Sequence, residues 1–495
     1  MPDPQKPKQS VTPRASVTIV GAGLAGLSAG CALADAGYTV TLLERRPYVG
    51  GRASSYQHPG TNEIVDNCQH VLLGCCTNLL DLYDRFGGRD KIRWFDRLTF
   101  IEPGGRQSAI HPSPFLPAPF HASLSFLMAA SLDMQDKLAI SRVMLALMRG
   151  LPPDTNEDFL SWLKRHGQTD RAIERFWKVV LVSALNEDLD RTSVHYAAQV
   201  FRESFLKSAA AGRMGIPTVP LTELYSAGVD YITQRCGRVH LRCSADSVQP
   251  QANGVKIIAG DISFTSDYAI LAAPYNILGK LLPNTPEAEP LRADLAKFES
   301  SPITGIHLWF DREITDLPHA VLLDRTIQWM FQKSKLLSRH QNSSQDLHQR
   351  PLGDEPNELS TSATTGSYIE LVVSSSKSIV EAGKQEIIDL ALKELAEFFP
   401  AVREAKLMKS AVIKEVFATY SALPLSDAYR PPAQTSWPRI FLAGDWTRTG
   451  WPATMEGAVR SGYTAAEALT VADNNREYFL QPDLPAQGLM SIYNK

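Results

Sequence analysis

The stretch Ser16-Val17-Thr18-Ile19-Val20-Gly21-Ala22-Gly23-Leu24-Ala25-Gly26-Leu27 decides the fold. A short β-branched run leads into glycines spaced G-x-G-x-x-G, and apolar residues at helical spacing follow them. Gly21 permits a tight turn, Gly23 lets the backbone approach a phosphate, and Gly26 lets the helix pack closely on the strand. The free N–H groups and the positive dipole end of that helix then face an anion. The stretch therefore predicts a strand, a turn and a helix start that hold a dinucleotide pyrophosphate.

The next strand predicts which dinucleotide is held. The run Tyr38-Thr39-Val40-Thr41-Leu42-Leu43 ends at Glu44, whose carboxylate can accept hydrogen bonds from both ribose hydroxyls of an adenosine. Arg45 follows, and a second glycine pair beside an arginine, Gly50-Gly51-Arg52, comes soon after. A second glycine pair so close to the acidic residue favours a flavin dinucleotide over a nicotinamide one. The predicted cofactor is FAD.

Length, composition and charge limit the class of protein. At 495 residues the chain is too long for one simple core, so we expect two interleaved domains. The net charge of −3 gives no case for nucleic-acid binding, which would need a basic face. The 6 cysteines include no CxxC pair, which indicates reduced cysteines of a cytosolic protein and neither a disulfide framework nor a metal site.

Shifts in composition predict the domain boundaries. The FAD-binding domain is expected from residues 16–110, 213–300 and 405–475, and the substrate domain from 111–212 and 301–404. Residues 1–15 are polar and rich in Pro and Lys, which predicts a disordered lead-in without a signal peptide. The polar stretch 335–365 predicts a mobile insert, and 476–495 forms a C-terminal tail.

The segment that opens the substrate domain has two compatible interpretations. The Pro-rich apolar run 111–120 cannot be a regular helix, and apolar residues mixed with Lys137, Arg142 and Arg149 follow it. These residues form either a helical subdomain with a buried face or a surface that dips into a bilayer interface. No apolar run reaches the roughly 18 residues that a membrane-spanning helix needs. We therefore expect a protein that at most lies on a membrane.

Polar residues are concentrated in one turn close to the glycine loops. Asp66, Gln69 and His70 follow a short strand. In one interpretation they only make local turn hydrogen bonds. In the other, His70, or in second place Asp66, lies near the flavin face as the proton donor.

A strand and a helix near the carboxyl end complete the predicted site. The apolar run 439–443 ends in Gly444-Asp445, which places a carboxylate where a ribityl or phosphate-adjacent hydroxyl could be held. The helix that begins near Met455 can aim its N–H groups at the flavin pyrimidine carbonyl, which stabilises the anionic reduced flavin by about 1 kcal/mol. Gly457 and Gly462 are poor helix formers and predict close backbone approach to a flat group.

Together these segments resemble the flavin amine oxidase and phytoene desaturase superfamily, and more narrowly the hydroxysqualene dehydroxylases. The resemblance is carried by the following motifs: residues 66–75 (DNCQHVLLGC), 184–191 (ALNEDLDR), 307–312 (HLWFDR), 420–424 (YSALP) and 443–447 (AGDWT) through 461–462. The first and last motifs mark the superfamily, and the middle ones are more specific. Cys68 stands where that pattern has a small residue, and the insert 335–365 is foreign to it.

The resemblance implies a fold class and a set of cofactor-binding residues. The fold is α/β, with a Rossmann-like FAD-binding domain interleaved with an α+β substrate domain. The residues that would bind FAD are Gly21, Gly23, Leu24, Ala25, Gly26, Glu44, Arg45, Gly50, Gly51, Arg52, Ala245, Gly444, Asp445, Thr454, Met455, Glu456 and Ala458. Among them, Ala245 would offer backbone to the adenine.

The resemblance also implies an activity. It is the reductive removal of the allylic hydroxyl of hydroxysqualene, which gives squalene for hopanoid or other triterpenoid synthesis. Such an enzyme takes a hydrophobic C30 isoprenoid from the bilayer, receives electrons from an unidentified donor, and lies in the cytoplasm against the inner face of the membrane. The alternatives are a carotenoid or apocarotenoid desaturase, an amine or protoporphyrinogen oxidase, and a non-enzymatic lipid escort protein of the same fold.

Overall fold

A computed structural model of the chain describes residues 14–337 and 366–493. The predicted lead-in 1–15 lies outside this range except for its last two residues, and the predicted insert 335–365 except for its first three. Arg14, at the edge of the described range, pairs with Glu477 at 2.9 Å.

Five parallel strands form the sheet that carries the glycine motif. Their order across the sheet is Arg238–His240, Thr39–Leu43, Ser16–Val20, Tyr268–Leu271 and Ile440–Leu442. Along the chain, strands are added first on one side of Ser16–Val20 and then on the other, so the order of the strands reverses direction at Ser16–Val20. Ligands bind at such a switch point, outside the carboxyl ends of the strands.

Both faces of this sheet are covered, which explains the apolar character of its strands. Val17 and Ile19 belong to a core shared with the helices Leu24–Asp35, Leu221–Thr233 and Met455–Ala472. Val20 and Leu271 belong to the core on the opposite face. That core includes residues of an antiparallel sheet whose strands are Ser247–Gln251, Gly254–Ala259 and Ile262–Ser266.

A mixed sheet of seven strands forms the platform of the substrate domain. Its order is Leu407–Tyr420, Ser300–Phe310, Ser367–Ser374, Trp329–Gln332, His319–Leu322, Leu98–Ile101 and Gln107–Ile110. The helix Lys384–Phe398 packs on it through a shared apolar core. Three of these strands come from segments predicted for the FAD-binding domain, namely two from 16–110 and one from 405–475. Alternating apolar residues indicate a strand but not the sheet that it joins, so the sequence alone does not assign these three strands to a sheet.

Helices make up most of the segment 111–212. They are Ser123–Met128, Met134–Arg149, Phe159–Arg165, Asp170–Ala172 continuing through the π-helical turn Ile173–Trp177 into Lys178–Leu185, and Val194–Phe201 continuing into the π-helical turn Arg202–Leu206. Their aromatic residues pack together around Trp177 and Phe201. Within residues 14–337 and 366–493, no helix combines the length and the apolarity needed to cross a bilayer.

Short elements connect the two sheets. The strands are Ser55–Gln57 with Ile64–Asp66, and Leu72–Leu73 with Met214–Pro217 and Ile92–Phe95. The helices are Thr77–Arg85, Tyr275–Leu281, Glu289–Leu295 and Lys333–Leu336.

The glycines of the last helix lie close to backbone atoms of the protein. A Cβ on Gly462 would lie 2.2 Å from the carbonyl oxygen of Ala25, in the helix Leu24–Asp35. A Cβ on Gly457 would lie 2.5 Å from the carbonyl oxygen of Pro452. The absence of a side chain at Gly462 therefore lets the first and last long helices touch, which brings the two ends of the chain together.

We expect Gly462→Ala to destabilise the protein by about 1–3 kcal/mol, because its methyl group overlaps a backbone oxygen that cannot move aside. Thermal unfolding and the FAD content of the purified protein measure this. Gly279→Ala is the matched control, because no atom lies within 4 Å of its added Cβ in the helix Tyr275–Leu281. Equal melting temperatures for the two variants would contradict the close helix contact.

Candidate active site

One cavity of about 460 Å³ brings together most of the predicted site residues. The predicted residues that line it are Gly21, Gly23, Leu24, Ala25, Glu44, Arg45, Gly50, Gly51, Arg52, His70, Gly444, Asp445, Thr454, Met455, Glu456 and Ala458. They come from opposite ends of the chain. Gly26, Ala245 and Asp66 are the predicted residues that do not line it.

The two glycine loops face each other across the start of the first helix. The Gly50 N–H donates to the Ala22 carbonyl at 2.9 Å. A Cβ on Gly21 would lie 2.7 Å from the Ala272 oxygen, and one on Gly26 would lie 1.8 Å from the Gly21 oxygen. Gly26 therefore serves helix packing, while a Cβ on Gly23 would meet only Gly51 Cα, at 3.8 Å. The cradle that remains is open backbone at a helix N-terminus, which fits a pyrophosphate.

Glu44 is held at the carboxyl end of its strand by backbone donors. Its buried carboxylate accepts hydrogen bonds from the Ala22 N–H at 2.9 Å and from the Arg46 N–H at 2.8 Å. A carboxylate has about four acceptor positions, so two remain for ribose hydroxyls. Ala245 is half-buried near this end of the sheet, two residues after Cys243, whose N–H donates to the Glu44 carbonyl at 2.8 Å.

An ion pair joins the amino-terminal and carboxyl-terminal parts of the cavity. Arg52 Nη2 lies 2.5 Å from Oδ1 of Asp445, which is buried, whereas the Arg52 side chain is 32 % exposed. The Asp445 carbonyl accepts from the buried Arg430 at 3.0 Å. Gly444 has a φ of +152°, and a Cβ there would lie 2.2 Å from Nε1 of Trp446. This turn therefore requires glycine, and it presents Asp445 to the cavity beside Arg52.

The last helix begins at the cavity wall. The Thr454 hydroxyl accepts from the Gly457 N–H at 3.0 Å and so caps the helix that starts at Met455. The Glu456 carboxylate is used elsewhere, because it accepts from the Leu79 N–H at 2.8 Å and pairs with Arg460 at 2.7 Å. It caps the helix Thr77–Arg85. A cofactor contact by Glu456 can therefore come only from its backbone.

His70 lines the cavity as a neutral imidazole. Its Nδ1 lies 2.8 Å from the Cys68 carbonyl, which can only accept, so Nδ1 carries the proton and Nε2 is a hydrogen-bond acceptor. Burial lowers the pKa of His70 below its ordinary value, and the hydrogen bond to Cys68 and the charge of Asp66 only partly oppose this. The predicted role of proton donor therefore requires protonation of Nε2 first.

Asp66 lies behind the cavity wall in a buried ion pair. Its carboxylate contacts Lys333 Nζ at 2.7 Å and accepts from the Ser55 hydroxyl at 2.6 Å. Burial acts to raise the pKa of Asp66, but the ammonium of Lys333 and the hydrogen bonds hold it below its ordinary value. An ionised carboxylate outside the cavity is not placed to donate a proton, so His70 is the candidate that the geometry favours.

Sequence reasoning missed two groups of cavity residues. Ala272-Ala273-Pro274 line the cavity directly after the strand Tyr268–Leu271. The carboxyl end of a buried parallel strand was the signal that could have found them. The second group forms the apolar part of the wall and comes from both the seven-stranded sheet and the helical segment: Leu98, Phe100, Val179, Val180, Phe205, Ile303, Val321, Trp329, Phe331 and Val372.

Comparison with known proteins shows the family. The family model described as "Flavin containing amine oxidoreductase" matches residues 24–470. The 15-cis-phytoene desaturase of Synechococcus elongatus is 28 % identical over 477 residues, which cover 92 % of this chain and 95 % of that protein. The chloroplastic/chromoplastic 15-cis-phytoene desaturase of Solanum lycopersicum is 28 % identical over 94 % of this chain and 78 % of its own length.

Solved structures share the fold at low identity. An oxidoreductase from Methanosarcina mazei superposes with a TM-score of 0.67 at 16 % identity, over 90 % of this chain and 98 % of that one. The predicted fold class and the predicted FAD cofactor are confirmed. The chain belongs to the flavin containing amine oxidoreductase family and is an FAD-dependent oxidoreductase.

Proposed function

We propose that this protein reduces hydroxysqualene to squalene. The observation that carries the proposal is the division of the cavity wall. One part consists of the glycine loops, Glu44 and Asp445, and the other is mainly apolar, with His70 and a few polar residues such as Ser183, Asn186 and Glu203. The apolar part suits a long isoprenoid chain, and the imidazole of His70 suits one polar group on it.

The reaction replaces a hydroxyl by a hydrogen. The allylic C–O bond breaks, a hydride forms the new C–H bond, and a proton combines with the departing hydroxyl to give water. Reduced FAD supplies the hydride when it is bound, and an external electron donor must then restore its two electrons.

The chain has three tasks in this reaction. Arg52 and Asp445 hold the two ends of the chain together at the cofactor. The apolar wall excludes water from the reacting carbon, which protects an allylic cation. His70 provides Nε2, which accepts a hydrogen bond from the substrate hydroxyl when the ring is neutral and donates a proton when it is charged.

The direct test is anaerobic incubation of the reduced, FAD-loaded protein with hydroxysqualene, followed by analysis of the hydrocarbons. We expect squalene and one equivalent of reoxidised flavin for each squalene formed. Recovery of unchanged hydroxysqualene from FAD-loaded protein would overturn the proposal.

Carotenoid desaturation is the second candidate, because the similar proteins from Synechococcus elongatus and Solanum lycopersicum are phytoene desaturases. In that reaction the substrate loses a hydride to oxidised FAD, and a neutral His70 would take up the proton. Oxidised protein incubated with phytoene and a quinone acceptor distinguishes the two. A desaturated product in this assay, with no squalene in the other, would establish the second candidate.

The pH dependence follows from His70. Since burial lowers its pKa from the ordinary value, the protonated fraction is small at pH 7 and grows as the pH falls through and below about 6.5. The single-turnover rate of hydroxysqualene reduction should rise over the same range and level off below the lowered pKa. His70→Gln should remove this dependence while FAD stays bound. A rate that instead rises with pH would favour a base, as desaturation requires.

We also propose that the protein docks on a lipid bilayer through an apolar patch formed by Phe115, Leu124, Leu127, Met128, Met134 and Leu138. Phe115 is 90 % exposed and Met128 66 %. The carboxyl-terminal turn Gly488–Ile492 extends the patch, because the Leu489 N–H donates to the Ala118 carbonyl at 3.0 Å and Ile492 is exposed. Arg142 and Arg149 are exposed on the helix Met134–Arg149 and can meet anionic headgroups.

We expect the double variant Phe115→Asp, Met128→Asp to lose most of its co-sedimentation with vesicles that contain anionic lipid, because two charges would enter the apolar boundary. Ile262→Asp is the matched control, because Ile262 is 55 % exposed on the distant antiparallel sheet. Equal sedimentation of the double variant and the control would exclude this surface.

A further inference from the structure

Lys333 is a buried cation that the reaction described above does not use. It follows the strand Trp329–Gln332, and only 2 % of it is exposed. Its Nζ lies 2.7 Å from Asp66 Oδ2, 2.7 Å from Gln69 Oε1 and 3.2 Å from Glu370 Oε2. The ammonium donates hydrogen bonds to Asp66 and Gln69, and its contact with Glu370 is an ion pair.

The protonation states of Lys333 and of the two carboxyl groups beside it, Asp66 and Glu370, depend on one another. Burial raises the pKa of Glu370 to about 7, against the opposing charge of Lys333. The carboxylates of Asp66 and Glu370 raise the pKa of Lys333 despite its burial, so it stays charged. Burying these charges costs desolvation energy, and in some proteins buried ionic groups are retained because they fix a local geometry.

The side-chain amide of Gln69 connects Lys333 to the turn that carries His70. Lysine can only donate, so the Gln69 atom bonded to Nζ is its oxygen. The Gln69 amide nitrogen then donates to the His70 carbonyl at 2.9 Å. His70 Nδ1 donates in turn to the Cys68 carbonyl at 2.8 Å. Lys333 thereby sets the direction of the Gln69 amide, which holds the turn that carries His70.

We propose that Lys333 is a positioning residue, which acts through Gln69 to keep the Nε2 atom of His70 directed into the cavity as a single tautomer. The use of this atom on a substrate rests on the proposed function, but the positioning itself does not. Asp66 and Glu370 hold the ammonium in place. The charged groups that act on His70 are Asp66, Lys333 and Arg52.

Gln69→Leu tests the link, because it cuts the connection between Lys333 and His70 without changing any charge and leaves the ion pairs of Lys333 intact. Gln168→Leu is the matched control. Gln168 is also buried, donates to the Ala139 carbonyl at 2.8 Å, and accepts from Trp177 Nε1 at 2.7 Å. Gln168 lies between the helices Phe159–Arg165 and Asp170–Ala172, remote in sequence from the 66–70 turn.

The readout is the nitrogen NMR spectrum of the FAD-loaded protein with labelled histidine, recorded against pH without substrate. The chain has 11 histidines, and the signal that disappears in His70→Gln belongs to His70. We expect a single Nδ1–H tautomer in the unmodified protein and in Gln168→Leu. In Gln69→Leu we expect mixed tautomers and a His70 pKa that moves up toward its ordinary value, because the released ring meets more water.

A His70 signal that is the same in Gln69→Leu and in the unmodified protein would overturn the proposal. Lys333→Met gives a second measurement if it folds. Because the two residues act in series, Gln69→Leu combined with Lys333→Met should disturb the tautomer no more than either change alone. Effects that add would also contradict the proposal.

The kinetics of hydroxysqualene reduction test the positioning role separately from the proposed function. If hydroxysqualene is the substrate, Gln69→Leu should lower kcat by about tenfold with little change in KM, because a displaced catalytic group costs rate more than binding. If the protein does not reduce hydroxysqualene, the NMR result still stands or fails by itself.

Discussion

The parallel pairing of Ser16–Val20 with Thr39–Leu43 on one side and Tyr268–Leu271 on the other is the constraint on which the rest of the structure depends. It brings the carboxyl ends of strands from distant parts of the chain to one edge. Gly21, Glu44 and Ala272 follow those ends and line one cavity. The addition of Ile440–Leu442 at the same side of the sheet delivers Gly444 and Asp445 to it. The cofactor site is therefore a product of the sheet order.

Two kinds of contact turn this order into a closed site. Where backbones must touch, the chain has glycine: Gly26 against the Gly21 carbonyl, and Gly462 against the Ala25 carbonyl. Where the two ends of the chain meet at the cavity, the contact is ionic, between Arg52 and Asp445 at 2.5 Å. Solvent screens this partly buried pair less than it screens a surface ion pair, but the two charges also lose more of their hydration.

Local signals made much of this predictable. The glycine spacing, the acidic residue at the end of the second strand and the Gly444-Asp445 turn each depend on neighbours in sequence, and all of them reach the cavity. The roles of single side chains were harder to predict, because they depend on partners that are distant in sequence. Asp66 pairs with Lys333, and Glu456 caps a helix near residue 78.

Partners that are distant in sequence also decide which sheet a strand joins and whether a side chain is buried. Strands such as Leu98–Ile101 have the same alternation whichever sheet they join, so only the tertiary structure assigns them. Lys333 precedes a polar stretch that looked like the start of an insert, and nothing nearby indicates that its side chain is buried. His70 was found as a candidate, but its neutral state follows from its hydrogen bond to Cys68 and from its burial.

The central claim is that FAD lies between the two ends of the chain, and a crystal structure of the FAD-loaded protein tests it most directly. We expect the pyrophosphate between Gly23 and Gly51, the adenosine ribose at Glu44, and the flavin ring between Asp445 and the start of the helix at Met455. A flavin ring bound away from Asp445 and Met455, or a pyrophosphate that does not contact the glycine loops, would contradict it.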